Sequence, residues 1–447
     1  MANKKLIIPK QIVSVDDKNI ILSDHAVEIE GSKISSIIST EKINLNDYDG
    51  EVFNYPELTL IPGFVQTHVH LCQTLFRGLA DDLFLLDWLQ KKIFPFENAH
   101  NENSLSASAK LGINELLLGG TTTILDMGTL RYQEVVFEEL IKSGMRAFSG
   151  KCLIDENELF PRFKSNTKTE IEESYKLAKK YHVVNQNKIF YGFAPRFVLS
   201  CSKQLLIEIK EMMKDFPGSL YHTHASENKT EVEEIKKIFN KGNVDYFDSI
   251  GVLDDHTVLA HCIHLNETEK LILKERQTRV AHCSSANLKL GSGIAPVPTY
   301  LENGIPVSLG ADGAPCNNNM SIFIEMRHAA IIQKPFHGPE VMDALTVFRL
   351  ATIEGAKALH LDNEIGSIEV GKKADLVLLN LNSYNNTVSE DEKNIYSDIV
   401  YSANANNVIS VMVDGRWLVK ENESVLYDQK KIIAEGKTEL KSLLSRA

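Results

Sequence analysis

The sequence predicts an α/β fold: a (β/α)8 (TIM) barrel carrying a small β-sandwich domain formed by both chain ends. Three observations predict it. Eight short apolar runs in the middle of the 447-residue chain alternate with amphipathic helical stretches, which suits a parallel barrel. Each run carries His, Asp, Glu, Arg or Lys at or near its end, where a barrel places its chemistry. The two chain ends have a different texture, reading as short strands broken by turns.

At the N-terminal end, residues 1–58, the strand-like runs are LIIPKQIVSV, HAVEIEGSKISSII and EVFNYPELTLI, punctuated by Gly31, Asp47 and Gly50. At the other end, residues 365–447, they are KKADLVLLNL and NNVISVMVDGRWLV, with the turn Asp414-Gly415 between two apolar runs. The expectation is one composite β domain from these two segments, with the barrel over 59–364. The barrel runs are TLIPGFVQTHVH, TTTILDM, RAFSGKCLID, KIFYGFAPRF, SLYHTHASE, TVLAHCIH, TRVAHCSS and IPVSLGAD. Helical stretches such as SASAKLGINELLLGG and KTEVEEIKKIFN lie between most of them.

The formal net charge is −12, which argues against non-specific binding to nucleic acid or to an anionic membrane. No apolar run approaches the roughly 18 residues of a spanning helix. The start, MANKKLIIPK, lacks the apolar block of a signal peptide. Six dispersed cysteines without a CxxC pair suit a reducing compartment, so a cytoplasmic protein is expected.

The chemistry concentrates in histidines at strand ends. His68-Val69-His70 puts two imidazoles on one face of a strand, because residues i and i+2 point the same way. A lone HxH is weak evidence; its place after Pro62-Gly63 and an apolar strand strengthens it. His222-Thr223-His224 repeats the pattern, and only one of the two need be a ligand. Glu227, three residues on, either shuttles protons or simply begins a helix where acids favour the dipole. His261 and His264 follow TVLA, His282 follows TRVA, and Asp312 follows IPVSLGA inside Gly310-Ala311-Asp312-Gly313. Taken singly, Asp312 reads as a turn residue. Several strand ends all offering His or Asp point instead to one divalent ion with a position left for water.

These segments, from PGFVQTHVHLCQTLFRGLADDLFLLDWL to VGKKADLVLLNL, resemble the amidohydrolase superfamily, and most closely its aminohydrolase branch of adenosine-derivative deaminases, guanine deaminase and triazine hydrolases. The resemblance implies the same barrel and terminal β-sandwich. It implies one ion per subunit held by His68, His70, His224 and Asp312, with no bridging carboxylated lysine; zinc is expected, with Fe2+ or Mn2+ as alternatives. It implies Glu227 (in HASE) and His261 (in LAHC) as proton-handling residues beside Asp312. Water activated by the ion attacks a ring carbon bearing an amino group, Glu227 protonates the ring nitrogen, and ammonia leaves. A small purine-type substrate and a homo-oligomer are expected partners, with no nucleic acid and no membrane. Nothing needed for catalysis is missing, which separates this reading from a binding protein of the same fold.

For the substrate, the motifs divide. AHCSSANLKLGSGIAPVP and GADGAPCNNNMSIFIEMRHAA resemble deaminases of 5′-deoxyadenosine, methylthioadenosine and S-adenosylhomocysteine. Glu97, in FPFE, matches their carboxylate for the ribose hydroxyls, or begins a surface helix. Gln73, Lys151, Arg196 and Phe197 resemble guanine deaminase. Phe197 suits stacking on a purine, Trp88 is either pocket wall or helix core, and His282 is placed to bond the substrate or Asp312. The expectation is an adenosine-derivative deaminase whose base pocket is reshaped by Gln73 and Arg196. Guanine is the second choice and a triazine the third.

Overall fold

A computed structural model describes residues 4–384, 386 and 394–447. Its centre is the expected barrel. The eight strands are β1 (Phe64–His70), β2 (Thr121–Asp126), β3 (Arg146–Ser149), β4 (Ile189–Pro195), β5 (Leu220–Ala225), β6 (Thr257–His261), β7 (Arg279–His282) and β8 (Val307–Leu309). Each pairs in parallel with the next. The chain leaving β8 then runs alongside β1, with Asp312 opposite Val69 and Gly313 opposite His70, and this seam closes the barrel. Every residue of β1, β2, β3 and β6 is buried, as expected where helices cover a parallel sheet.

The two chain ends meet in one second sheet. Lys4–Val13 pairs in parallel with Glu51–Pro62, and Glu51–Pro62 pairs antiparallel with Leu376–Leu379. Among the described residues this sheet has nine strands, with Val408–Val413 and Arg416–Lys420 continuing it beyond Leu376–Leu379. Its own apolar core includes Ile7, Val27, Ile29, Leu60, Leu376 and Met412. The C-terminal helix Gln429–Leu444 leaves the sheet and packs on the barrel helix Glu102–Leu118.

Two features weld the sheet to the barrel. Glu51–Pro62 passes into β1 through Gly63 alone, and a Cβ there would lie 2.2 Å from Thr122 Oγ1. Arg146, the first residue of β3, donates to both oxygens of Asp375, Nε at 3.0 Å and Nη2 at 3.2 Å, and both residues are buried. Asp375 also accepts the Asp414 N–H at 2.7 Å. Removing one partner of such a pair leaves a buried charge without compensation. Asp375→Ala is therefore expected to cost about 3–5 kcal/mol, read as a lower urea midpoint; an unchanged midpoint would contradict the weld.

Candidate metal and catalytic site

The polar strand ends converge at the C-terminal mouth of the barrel. His68 and His70 come from β1, and His222 and His224 from β5. His261 ends β6, and Asp312 lies on the closing seam. The backbone is bent to achieve this. His261, Cys262 and Asp312 all have left-handed φ, at 75°, 47° and 61°. Non-glycine residues there cost about 1–3 kcal/mol each and cluster where geometry serves function.

Asp312 Oδ1 is 3.3 Å from His68 Nε2 and 3.3 Å from His70 Nε2. His70 Nε2 is in turn 3.3 Å from His224 Nε2. In a tetrahedral site with bonds of about 2.0–2.1 Å, neighbouring donors lie about 3.3–3.4 Å apart. The nitrogens are also presented as ligands. His224 Nδ1 lies 2.7 Å from the Arg196 carbonyl, which can only accept, so Nδ1 carries the proton and Nε2 is bare. His68 Nδ1 is engaged by His222 Nε2 at 2.8 Å, and His68 Nε2 is buried with no well-formed hydrogen bond. Burial pushes the His68 imidazole down to about 4, and pushes His224 well below its ordinary value, which keeps both neutral. Burial alone would raise Asp312, but bonding to His68 and His70 holds its carboxyl well below the usual range. Three imidazoles and one carboxylate, buried and mutually close, fit a divalent ion.

Glu227 and His261 stand beside this cluster. His261 Nε2 is 3.5 Å from Glu227 Oε2 and 3.8 Å from Asp312 Oδ2. Its other nitrogen, Nδ1, donates to Asn287 Oδ1 at 2.8 Å. The helix after β5 starts at Lys229 with Asn228 as its cap, so Glu227 is not the residue that opens it. That acidic position belongs to Glu231, whose Oε2 accepts the Glu227 N–H at 2.9 Å. Burial, and next the Asp312 charge, push the Glu227 carboxyl well above its ordinary value.

A narrow chamber opens over the cluster. His70, Gln73, Trp88, Arg196, Phe197, His224, Glu227, His261 and Asp312 line it, with Leu85, Leu89 and Glu231. Trp88 and Phe197 are also members of one apolar cluster, so each is both wall and core. Glu97 sits behind the wall, buried rather than on the surface. Arg196 Nη1 donates to its two oxygens at 3.1 and 2.8 Å, and Gln73 Nε2 donates to Oε1 at 2.8 Å. Gln73 Oε1 is buried without a partner. Besides His68 and Glu97, the candidates Lys151 and His282 lie outside the lining. Lys151 turns to the Leu130 carbonyl at 2.5 Å and to Glu170 and Glu173, in a separate cleft. His282 is buried near His261 with neither ring nitrogen bonded.

Sequence reasoning missed Leu85, Leu89 and Glu231 as lining residues and Asn287 as the partner of His261. Leu85 and Leu89, four apart around Trp88, carried a helical signal of a shared face. Asn287 carried none, because its partner His261 is a distant strand end; Glu231 bonds the Glu227 and Asn228 N–H groups at the start of its own helix.

The profile of the Amidohydrolase family matches residues 59–418. The 5′-deoxyadenosine deaminase of Methanothermobacter thermautotrophicus is 36% identical over 409 residues, 91% of this chain and 92% of the relative. A 5-methylthioadenosine/S-adenosylhomocysteine deaminase of Desulfitobacterium hafniense is 33% identical, with 88% of each chain covered. Among solved structures, an adenosine deaminase from Xanthomonas campestris with bound zinc superposes with a TM-score of 0.91 at 27% identity, over 99% of both chains. By its sequence, its barrel and its relatives, the chain belongs to the amidohydrolase family.

Proposed function

We propose that this chain is a metal-dependent hydrolytic deaminase. It removes an exocyclic amino group, as ammonia, from an adenosine derivative of the 5′-deoxyadenosine, methylthioadenosine or S-adenosylhomocysteine class. The observation that carries the reading is the approach of His68, His70 and His224 Nε2 and Asp312 at 3.3 Å spacings, with Glu227 and His261 on the open side. The names of the relatives at 33–36% identity support the substrate class.

His68, His70, His224 and Asp312 would hold one divalent ion, zinc before Fe2+ or Mn2+, as the zinc in a solved relative supports. When bound, the ion supplies a Lewis acid that draws the pKa of a water toward neutrality. Asp312 Oδ2, facing His261, takes the proton of the attacking water. His261, with Nδ1 committed to Asn287, presents Nε2 to orient that water. Glu227, kept protonated by burial, donates to the ring nitrogen beside the carbon under attack. Asp312 passes the water's proton on to the amino group, which departs as ammonia; the proton of the added hydroxyl returns to Glu227 as the carbonyl forms. Leu85, Trp88, Leu89 and Phe197 exclude bulk water from the chamber. The setting proposed is the cytoplasm, in purine salvage; the buried free cysteines support the compartment.

One observation favours guanine as the second reading. A carboxylate has about four acceptor sites, and Glu97 already accepts three hydrogen bonds from Arg196 and Gln73. That leaves little for a ribose diol. Gln73 Oε1, buried and unpartnered, awaits a donor on the substrate base.

Metal counting on the purified protein is expected to find a tightly held ion that Asp312→Ala loses; full retention in that variant would contradict the ligand set. Glu227→Gln should keep the ion and the fold while deamination falls about 10²–10⁴-fold; undiminished turnover would remove Glu227 from the proton path. An ammonia-release panel of 5′-deoxyadenosine, methylthioadenosine, S-adenosylhomocysteine, guanine and melamine-type triazines should give the highest kcat/KM on an adenosine derivative. Turnover of guanine alone would reverse the ranking.

A further inference from the structure

Behind the site, one buried carboxylate joins two of the segments that carry it. Glu325 lies in the first turn of the helix Ile322–Ile332, buried and outside the chamber lining. An acid in a first turn ordinarily serves its own helix, whose N-terminus favours negative charge. Here the carboxylate bonds to two other segments. Its Oε2 accepts the Ser285 N–H at 3.0 Å and the Ser284 hydroxyl at 2.8 Å, just past β7. Its Oε1 accepts from Asn317 Nδ2 at 2.8 Å, just past the closing seam. Three residues along the same helix, His328 Nδ1 lies 2.8 Å from the Ser285 hydroxyl.

Each arm ends on a group of the catalytic cluster. The first runs through Ser284 and Ser285, which open the short helix Ser284–Lys289. That helix carries Asn287, whose Oδ1 accepts from His261 Nδ1 at 2.8 Å. The second runs through Asn317, whose Nδ2 also donates to the Ala311 carbonyl at 2.8 Å, next to Asp312. A carbonyl only accepts, so this bond fixes the Asn317 amide with its nitrogen toward Glu325. Asn319 Nδ2 holds the other end of that amide, donating to Oδ1 at 2.8 Å. A backbone N–H, a hydroxyl and an amide N–H therefore all point at Glu325, and only a side chain with an acceptor on each terminal atom satisfies them together. Burial pushes its carboxyl above the ordinary value, and the bonds from Ser285, Ser284 and Asn317 act against that rise.

We infer that Glu325 is a positioning residue: through its two arms it sets His261 and Asp312 against one another without touching substrate or ion. The inference rests on the deaminase reading of that pair. The two arms have separable consequences. Asn317 holds the seam beside Asp312, so cutting that arm displaces a ligand and weakens the ion. Ser284 and Ser285 hold the helix that aims His261, so cutting that arm spoils the orientation of the attacking water while all four ligands stay in place. Outer partners of this kind typically cost about 10–100-fold in metal affinity or activity when removed.

The test reads Zn2+ affinity of the intact chain by competition with a chelator, together with kcat and KM at saturating Zn2+ and the thermal midpoint. Asn317→Ala should weaken Zn2+ binding about 10–100-fold. Ser284→Ala should keep Zn2+ affinity and KM while kcat falls. Glu325→Gln retains one acceptor, which the fixed Ser285 N–H claims; its amide nitrogen then opposes that of Asn317, so its Zn2+ affinity should match Asn317→Ala. The double variant Glu325→Gln, Asn317→Ala should bind no more weakly than the weaker single variant, because both cut one path. A brace that only holds the fold would lower the thermal midpoints and leave Zn2+ affinity and saturated kcat unchanged; that result overturns the inference, as does an additive loss in the double variant. Failure of the deaminase reading looks different, since the wild type itself would bind no Zn2+ and release no ammonia, and that would overturn both.

Discussion

The chain from β8 to Gly313 must lie against β1 closely enough for one carboxylate to reach two histidines. Gly310 makes this possible, since a Cβ there would meet the His68 backbone at 2.7 and 2.8 Å. Two residues later Asp312 adopts a left-handed φ, its Oδ1 accepting the Gly313 N–H at 2.7 Å while facing His68 and His70. The same seam closes the barrel and completes the donor set. Fold and chemistry thus share one contact, and a substitution that widens it damages both.

Around that contact lies a layer of groups that decide protonation rather than geometry alone. The Arg196 carbonyl sets the tautomer of His224, His222 occupies Nδ1 of His68, and Asn287 occupies Nδ1 of His261. Each leaves an Nε2 directed inward. Burial adds the second half of the effect. It disfavours charge on the imidazoles and on Glu227, while Asp312 escapes through its two histidine contacts. One desolvated chamber therefore holds an ionised carboxylate and a protonated one within reach of the same imidazole. That is the separation of roles an acid–base pair needs.

Much of this was legible in the residues. Period-2 spacing placed His68 with His70 and His222 with His224, and apolar runs ending in His261 and Asp312 marked strand ends. What could not be read was side-chain direction beyond a strand end. Lys151 lies two residues past β3, where nothing local distinguishes the chamber from the cleft of Glu170 and Glu173. Glu97, Arg196 and Gln73 were each noted for a substrate; their mutual bonds join three separate segments, and no local pattern encodes such a meeting. The composite sheet was suggested by two similar-looking termini, whereas the Arg146–Asp375 pair that anchors it spans 229 positions. Periodicity reports which face a residue occupies, and long-range partners are settled only by packing.

In the proposed reaction, water held beside Asp312 and Glu227 replaces an amino group on a ring carbon. The most direct measurement is turnover of 5′-deoxyadenosine by the metal-loaded protein in 18O-water, with product mass and ammonia followed together. One solvent oxygen is expected in the product for each ammonia released, with loss of both in Glu227→Gln. Ammonia release without solvent oxygen in the product would contradict it.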